Sequence, residues 1–185
     1  MRKDFGAKAF LYPMPVLIIA TYNADGTANA MNAAWGCIAD TNRIAIYVSS
    51  THKTMENIRA RGAFTVSMAD AAHVTACDYV GIASGNEVPA KLAKSGLHST
   101  KSSRVDAPII DELPMTLECT LVSYDEESEL LIGEIVNVSA DETILTDGKI
   151  DPEKLDPICF DPVHHTYRRM GEIAGKAFSD GLALR

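Results

Sequence analysis

The stretch Val16-Leu-Ile-Ile-Ala-Thr-Tyr22, followed by Asn23-Ala-Asp-Gly26, decides the fold class of this chain. Its β-branched and aromatic residues favour extended backbone, and a run that is apolar on both faces is typical of a strand covered on both sides. Asp-Gly is a strong turn signal, so residues 27–35 are predicted to return as the partner strand of a hairpin. The fold is therefore predicted to begin with two antiparallel strands.

Strands also dominate the rest of the chain. Further strands are predicted at residues 43–49, 63–68, 115–124 and 129–140, with two short ones at 158–160 and 165–168. In the stretch 115–124 the apolar residues alternate with polar ones, which places one set of side chains on a single face of the strand. That set is Met115, Leu117, Cys119 and Leu121.

Three short helices are predicted between the strands: residues 50–54 lead into the first, which runs to about residue 60, and the others span residues 71–82 and 88–95. Met55 and Ile58 share one face of the first helix, and Gly62 lies just beyond its end. Because strands outnumber helices and mostly follow one another through short turns, the pattern favours a mainly β protein, an antiparallel β-barrel with inserted helices. A doubly wound parallel sheet is disfavoured, since no G-x-G-x-x-G fingerprint follows the first strand.

Length and charge limit the possible functions. The 185 residues suffice for one well-filled core, and a single domain over residues 1–185 is predicted. The formal net charge of -8 argues against nucleic-acid binding, which requires a basic surface. The apolar run at residues 16–20 is too short for a signal-peptide core or a membrane span. A cytoplasmic protein without membrane contact is expected.

Cysteine and histidine residues give no metal-binding pattern. The four cysteines have no C-x-x-C spacing, and we predict buried or half-buried thiols in a reducing compartment; they are Cys37, Cys77, Cys119 and Cys159. His164 and His165 are adjacent on a predicted strand, where neighbouring side chains point to opposite faces and cannot easily share one metal. No metal site is therefore expected.

The stretch Ser49-Ser-Thr-His-Lys-Thr54 is the first candidate binding motif. It lies between a predicted strand and a predicted helix, where free backbone N–H groups and the helix dipole favour a phosphate. Its hydroxyl groups can donate hydrogen bonds, and Lys53 adds a full positive charge. The alternative interpretation is ordinary N-capping by serine or threonine.

Two further stretches suggest a cleft for a flat ring. In Asn29-Ala-Met-Asn-Ala-Ala-Trp-Gly36 the small side chains would let a ring approach the backbone closely, although Trp35 would equally suit a packed core. In Tyr79-Val-Gly-Ile-Ala-Ser-Gly-Asn86, followed by Lys91, the glycines indicate a tight turn at a cleft. A helix C-cap at Gly85 is the alternative there.

Taken together and in this order, these stretches resemble the flavin reductase-like group of FMN-binding split barrels, especially the flavoredoxin branch. The resemblance extends over nearly the whole chain. The motifs that carry it are Asn32-Ala-Ala-Trp35, Thr51-His-Lys-Thr-Met-Glu-Asn-Ile58 ahead of Gly62-Ala-Phe-Thr-Val66, Val80-Gly-Ile-Ala-Ser-Gly85 with Lys91, and Tyr167-Arg-Arg-Met-Gly-Glu172.

The resemblance implies a six-stranded antiparallel split barrel that forms a homodimer, with one FMN near each end of the interface. By position, the isoalloxazine ring would be lined by Asn32, Ala33, Ala34 and Trp35. The ribityl chain and phosphate would be held by Ser49, Ser50, Thr51, Lys53 and Thr54, with His52 or Lys53 on the phosphate. Ser84, Gly85 and Lys91 would approach the flavin from the same or the partner subunit, and Tyr167 and Arg168 would close the pocket.

The implied activity is that of an FMN-dependent oxidoreductase, such as an NAD(P)H:flavin reductase. Since the flavin N5 itself carries the chemistry, the protein needs no catalytic acid, base or nucleophile. Two alternatives stay open. One is an electron carrier that keeps its FMN and docks a redox partner without using nicotinamide, and the other is a flavin-binding protein without turnover. Besides the second subunit, the expected partner is a redox protein or free flavin.

Overall fold

The computed structural model describes residues 1–185, and its regular elements are mainly strands. The first half holds β1 Met14–Pro15, β2 Leu17–Tyr22, β3 Ala28–Ala33, β4 Gly36–Asp40, β5 Arg43–Tyr47, α1 Lys53–Arg61, β6 Ala63–Met68, α2 Val74–Ile82 and α3 Lys91–Ser95. The second half holds β7 Ser99–Lys101, β8 Pro108–Ile110, β9 Met115–Asp125, β10 Leu130–Ala140, β11 Leu145–Thr146, β12 Lys149–Ile150, α4 Pro152–Leu155, β13 Ile158–Asp161 and β14 Thr166–Arg169.

A single curled antiparallel sheet forms the barrel. Its strand order is β3-β2-β6-β9-β10-β5-β4, and every neighbouring pair is antiparallel. The two edge strands, β3 and β4, are separated in the chain by only Ala34 and Trp35. The sheet must therefore curl until its edges nearly meet. If β3 and β4 are counted as one bent strand, the sheet has six strands. The predicted mainly β split-barrel class is confirmed.

Strand β2 is covered on both faces, as its sequence predicts. Ile18 and Ala20 belong to an apolar cluster between the sheet and helices α2 and α3. Leu17 and Ile19 point the other way, into a cluster inside the barrel that includes Phe64. The hydrophobic run is continuous because successive residues enter two different cores.

The interior cluster also confirms two finer sequence predictions. Met55 and Ile58 on α1 are fully buried in this cluster, and Gly62 ends the helix in the left-handed conformation with φ 66°. All four alternating apolar residues of β9 pack into or against it; they are Met115, Leu117, Cys119 and Leu121. The amphipathic patterns of α1 and β9 therefore face the same interior.

Gly133 on β10 gives a stability prediction. A Cβ atom there would overlap the aromatic ring of Phe64, whereas a Cβ on Gly181 would meet nothing within 4 Å. Overpacking of a buried site costs about 1–3 kcal/mol, so we expect Gly133→Ala to lower the free energy of unfolding by that amount in urea titrations. The control Gly181→Ala should stay close to wild type, and equal stability of both variants would contradict the packing described here.

Several elements were not predicted from the sequence. Strand β4 was missed because four of its five side chains are exposed, so no alternation signals a strand. The strands β7, β8, β11 and β12 have two or three residues each, too few for a periodic pattern. None of the helices is long and apolar enough to span a membrane.

The histidine pair does not lie on a strand, which corrects the prediction from the sequence. His164 and His165 belong to the turn between β13 and β14. The Nδ1 atom of His164 lies 2.9 Å from Oδ2 of Asp161, and the ring of His165 stacks on Phe160. No group of three or more metal-ligating side chains comes together anywhere in the chain.

Asp161 anchors the β13–β14 hairpin. Its carboxylate accepts hydrogen bonds from the Tyr12 hydroxyl, from Nε of Arg168 at 3.1 Å and from the backbone N–H of Val163 at 2.9 Å. The Tyr12 hydrogen bond, followed by that of His164, holds the pKa of Asp161 well below its usual range. The hairpin is therefore fixed to the N-terminal segment.

The cysteines differ in exposure. Cys77 and Cys119 are buried and Cys159 is half-buried, as predicted, but Cys37 is exposed because β4 forms an open edge of the sheet. All four thiols are unpaired. The prediction that every cysteine is buried or half-buried is therefore wrong for Cys37, and the cytoplasmic location stays a prediction.

Candidate functional site

Two adjoining cavities lie where β3 meets α1 and α2. The first, here the apolar cavity, has a volume of about 360 Å³, and the second, the polar cavity, about 220 Å³. Both are lined by Met31, His52, Gly81 and Ile82. Because they share this wall, the two cavities adjoin each other, and together they are called the cleft.

The apolar cavity has a small-residue wall and an aromatic wall. Ala33 and Ala34, at the end of β3, leave open space beside the backbone. Phe160 stands 6.4 Å from Trp35 and 6.2 Å from Tyr167 between ring centroids. Trp35 is half exposed, with 50% of its surface accessible, so the alternative of a core tryptophan does not hold. A planar ring suits a cavity of this kind.

A hydrogen-bond network crosses the back of the apolar cavity. Tyr167 donates its hydroxyl proton to Oδ1 of Asp78 at 2.7 Å. Asn32 donates from Nδ2 to the carbonyl of Cys77 at 3.1 Å and, more weakly, to the Tyr167 oxygen at 3.4 Å. Burial, and then the Asp78 carboxylate, raise the pKa of Tyr167 well above its usual value. Tyr167 is thus held as a protonated donor that ties β14 to α2.

Tyr167→Phe tests this network. The change leaves a half-buried carboxylate without its donor, which should lower the free energy of unfolding by about 1–3 kcal/mol. Tyr22→Phe is the matched control, since the Tyr22 hydroxyl is also partly buried but makes no hydrogen bond in the structure. Thermal and urea unfolding would measure both variants, and a loss in Tyr22→Phe as large as that in Tyr167→Phe would contradict the role of the network.

The polar cavity lies at the N-terminus of α1. The carbonyl of His52 accepts from the N–H groups of both Met55 and Glu56, whereas the N–H groups of Lys53 and Thr54 have no acceptor. These free donors are the unsatisfied groups of a helix start, and they lie at the positive end of the helix dipole. Lys53 and Thr54 themselves line the cavity as well, and the ammonium of Lys53 is paired with Oε1 of Glu56 at 2.7 Å. The arrangement can hold an anionic group.

Ordinary N-capping does not account for this helix start. The N-cap position is His52, which makes no side-chain capping hydrogen bond. Thr54 instead accepts a hydrogen bond from Nδ2 of Asn29 at 3.0 Å, and its own hydroxyl proton has no acceptor. The donors of this helix start therefore stay available to a ligand.

Asn29 carries the single buried side-chain atom without a hydrogen-bond partner in the protein. The residue is 1% exposed, and its Oδ1 has no donor. Leaving such an atom unpaired is costly, and natural proteins rarely do so without a reason. The orphaned oxygen lies beside Gly85, at the edge of the polar cavity.

Gly85 is required by close approach and is not a helix C-cap, which corrects the alternative drawn from the sequence. Helix α2 ends at Ile82, and its C-cap is Ala83. A Cβ on Gly85 would stand 2.7 Å from Oδ1 of Asn29 and 3.0 Å from Cβ of Lys53. The loop after α2 therefore lies directly against the start of α1.

Lys91 holds this loop in place. Its side chain is buried, and Nζ donates to the carbonyls of Val80 at 2.9 Å and of Ala83 at 2.8 Å. These are carbonyls of the last turn of α2 and of its C-cap, where a positive charge is favourable. Burial lowers the pKa of Lys91 to about 8.

The structure brings together most of the candidate residues proposed from the sequence. The apolar cavity is lined by Asn32, Ala33, Ala34, Trp35, His52 and Tyr167, and the polar cavity by His52, Lys53, Thr54, Ser84, Gly85 and Lys91. Ser49, Ser50 and Thr51 line neither cavity, and Arg168 is engaged with Asp161. The assignment of individual residues to parts of a cofactor stays a prediction.

The hydroxyl residues outside the cleft have other partners. Ser49 donates to Oε1 of Glu129 at 2.7 Å, and its hydroxyl lies 3.2 Å from that of Thr51. The carbonyl of Thr51 accepts from Nδ2 of Asn86 at 3.1 Å. These contacts join the β5–α1 connection to the β9–β10 turn and to the loop after α2.

Sequence reasoning missed several residues that line the cleft; they are Met31, Tyr47, Asp78, Ile82 and Phe160. It also missed Asn29, whose oxygen lies at the edge of the polar cavity. Asn29, Met31 and Ile82 lie inside the motifs that were singled out, but nothing in the motifs marked their roles. Asp78 and Phe160 carry no local signal, because the partners that define them are far away in the chain.

A curled antiparallel sheet whose edge strands nearly meet, with helices inserted between its strands, is a split-barrel fold. Residues 9–166 match the family described as flavin reductase like domain, and the chain belongs to that family. The match covers the barrel strands and all residues that line the cleft except Tyr167.

Solved structures agree with this assignment. Flavoredoxin of Desulfovibrio vulgaris (Miyazaki F) is 40% identical, with a TM-score of 0.93 over 98% of this chain and 100% of that chain. Flavoredoxin from Methanosarcina acetivorans is 28% identical, with a TM-score of 0.90 over all of both chains.

Among relatives by sequence, an uncharacterised protein of Aeropyrum pernix is 26% identical over 128 residues, which are 67% of this chain and 48% of that protein. The chain thus spans about half the length of that relative.

Proposed function

We propose that this protein binds FMN in the cleft and acts as an oxidoreductase that passes reducing equivalents through it. The observation that carries the proposal is the adjacency of the two cavities. An apolar cavity with aromatic walls adjoins a polar one with free helix N–H donors. A ligand with a planar ring at one end and a phosphate at the other matches this pairing.

The polar cavity fits the phosphate and ribityl end of FMN. The backbone N–H groups of Lys53 and Thr54, the hydroxyl of Thr54 and the ammonium of Lys53 would bind the phosphate. A ribityl chain carries hydroxyl donors of the kind that the orphaned Oδ1 of Asn29 lacks. Gly85 leaves room beside both groups, since a side chain there would fill the space.

The apolar cavity fits the ring end. Ala33 and Ala34 would allow close approach of the ring to the β3 backbone, and Trp35 and Tyr167 would enclose it. When bound, FMN supplies reversible acceptance of a hydride or of single electrons. Asn32 and the Tyr167–Asp78 pair would orient the polar edge of the ring and exclude water from it.

The absorbance spectrum of freshly purified protein tests FMN binding. We expect the yellow flavin bands, and release of FMN itself on heating, identified by chromatography and mass. A colourless preparation that quenches no flavin fluorescence during FMN titration would overturn the proposal. Riboflavin titration serves as the matched comparison, because it presents the same ring without the phosphate.

Two kinds of electron donor could reduce the bound FMN. The first is NADH or NADPH, which would make the protein an NAD(P)H:flavin reductase. The second is a redox protein, which would make it an electron carrier with fixed FMN, and the 40% identity to a flavoredoxin favours this candidate. Under nitrogen, rapid bleaching of the flavin bands by NADH or NADPH supports the first. Reduction by a ferredoxin-like donor without bleaching by either nucleotide supports the second.

We further propose that the active form is a homodimer. Large apolar side chains that line the cleft have 50–75% of their surface exposed; they are Trp35, Tyr47 and Ile82. Exposed apolar residues gathered in this way are typical of an interface. Light scattering of the FMN-bound protein should give twice the mass of the chain, and a monomer that holds FMN tightly would contradict the proposal.

A further inference from the structure

Asp78 on α2 is the only carboxylate that lines the cleft, and it lies in the apolar cavity. Apart from His52, the other residues of that cavity carry no titratable base, and no lysine or arginine is among them. Asp78 also takes part in none of the ion pairs of the structure. No cation therefore balances the negative charge of this side chain.

A single hydrogen bond fixes the Asp78 carboxylate in place. Its Oδ1 atom accepts the hydroxyl proton of Tyr167 at 2.7 Å, and no other side chain donates to it. An ionised carboxylate can accept about four hydrogen bonds, so one hydroxyl donor compensates only part of its charge. The residue is half-buried, which weakens the screening of that charge by water.

Neither cofactor binding nor the anchoring of Tyr167 explains why this residue is an acid. The polar cavity has lysines and no carboxylate, so the cleft is positive at the phosphate end and negative at the ring end. A phosphate requires positive charge, but an uncharged oxidised ring does not require negative charge beside it. An asparagine at position 78 would accept the Tyr167 hydroxyl proton equally well through its amide oxygen.

Resting on the proposed function, we propose that the charge of Asp78 tunes the redox potential of the bound flavin, by disfavouring the reduced ring relative to the oxidised one. Reduction by a hydride donor, or by an electron donor with a proton from solvent, brings two electrons and one proton into the ring. The ring is then an anion unless a second proton follows from solvent. Asp78 makes and breaks no bond in this step. Its charge repels the reduced ring more than the neutral oxidised ring, which makes the reduced cofactor a stronger electron donor.

The size of the effect follows from the repulsion of two like charges in one half-buried cavity. At the effective dielectric constant typical of protein surfaces, it corresponds to a roughly 10- to 50-fold change in an equilibrium constant. The constant that changes is the ratio of the dissociation constants of reduced and oxidised FMN. For a two-electron couple, in which a tenfold change equals about 30 mV, the expected shift of the midpoint potential is about 30–50 mV.

The experiment measures the midpoint potential of FMN bound to the protein, by titration with dithionite under nitrogen in the presence of reference dyes. At pH 8 carboxylates are ionised. Asp78→Asn removes the charge but keeps an acceptor for Tyr167, and should raise the potential by the amount given above. Asp78→Glu keeps the charge and should stay closer to wild type than Asp78→Asn. Asp111→Asn, which changes an exposed carboxylate in the turn after β8, should behave as wild type.

Tyr167→Phe distinguishes the charge of Asp78 from a general disturbance of the cavity. Without the hydroxyl donor the carboxylate is less compensated, so the potential should fall, by an amount that corresponds to a roughly 2- to 5-fold change in the same ratio. Asp78→Asn and Tyr167→Phe are thus expected to shift the potential in opposite directions. A purely structural role of the pair would shift both in the same direction.

The outcomes separate this inference from the proposed function. A wild-type potential in Asp78→Asn, or shifts of the same sign in Asp78→Asn and Tyr167→Phe, overturns the inference alone. Should circular dichroism show that Asp78→Asn is unfolded, Tyr167→Phe decides, and an unchanged or raised potential in that variant overturns the inference. Absence of FMN binding to the wild type overturns the proposed function and the inference with it.

Discussion

Replacing Lys53 and Thr54 by alanine in one variant is expected to weaken FMN binding roughly 30- to 1000-fold while the fold survives, corresponding to about 2–4 kcal/mol. The change removes a charge and a hydroxyl group from the polar cavity. The measurement is fluorescence titration with FMN, with circular dichroism to verify folding. Unchanged affinity in the double variant would remove both residues from the site.

Controls separate binding from folding in this experiment. Thr100→Ala with Lys101→Ala removes the same two side-chain types from exposed positions on β7, and should leave FMN affinity unchanged. The single variant Lys53→Ala keeps the hydrogen bond between Thr54 and Asn29, and therefore tests the charge without disturbing the buried pair. The folded fraction of the double variant should itself bind FMN more weakly. If that fraction bound FMN as tightly as wild type, and only unfolding lowered the total binding, a direct role of the two residues would be contradicted.

Gly85→Val is expected to have the second largest effect, a loss of FMN affinity of roughly 5- to 150-fold. The side chain would meet Oδ1 of Asn29 and Cβ of Lys53, so the loop after α2 must move away from α1. Such overpacking typically costs about 1–3 kcal/mol. We expect the cost to appear as weaker FMN binding, because the displaced loop changes the shape of the polar cavity.

Gly171→Val is the matched control for this change, because a Cβ at Gly171 meets nothing within 4 Å. FMN and riboflavin titrations of both variants distinguish the two ends of the cleft. We expect Gly85→Val to lose more affinity for FMN than for riboflavin, since the phosphate end is the part that shifts. Equal losses for the two ligands would indicate that the whole cleft is disturbed and would contradict this account.

The sequence determined most of the fold because its patterns report local burial. The uninterrupted apolar run of β2 indicated a strand with two covered faces, and its residues do enter two cores. Gly62 and the pair Met55 and Ile58 indicated the end and the buried face of α1. In each case the signal lies within one element, although the contacts are with other elements, so periodicity alone was sufficient.

The sequence also marked the stretches that form the cleft, although not their separate roles. Small residues before Trp35 and a lysine within a run of hydroxyl residues before α1 are local signals, and the structure places both at cavity walls. Ser49 carries the same signal as Thr54 but turns to Glu129, in the turn between β9 and β10. The direction of each side chain depends on a partner strand that the motif does not contain.

Only the tertiary structure decided which distant groups meet. Tyr167 reaches Asp78 from the other end of the chain, Gly85 lies against Lys53, and Lys91 is buried beneath the last turn of α2. None of these contacts follows from periodicity, because each depends on how the elements pack around the barrel. By itself the sequence determined a curled β-sheet with a binding motif at a helix start. The packing of distant elements formed the cleft around that motif, because contacts between distant residues determine how buried each side chain is, which charges lie nearby and how much space is left for a ligand.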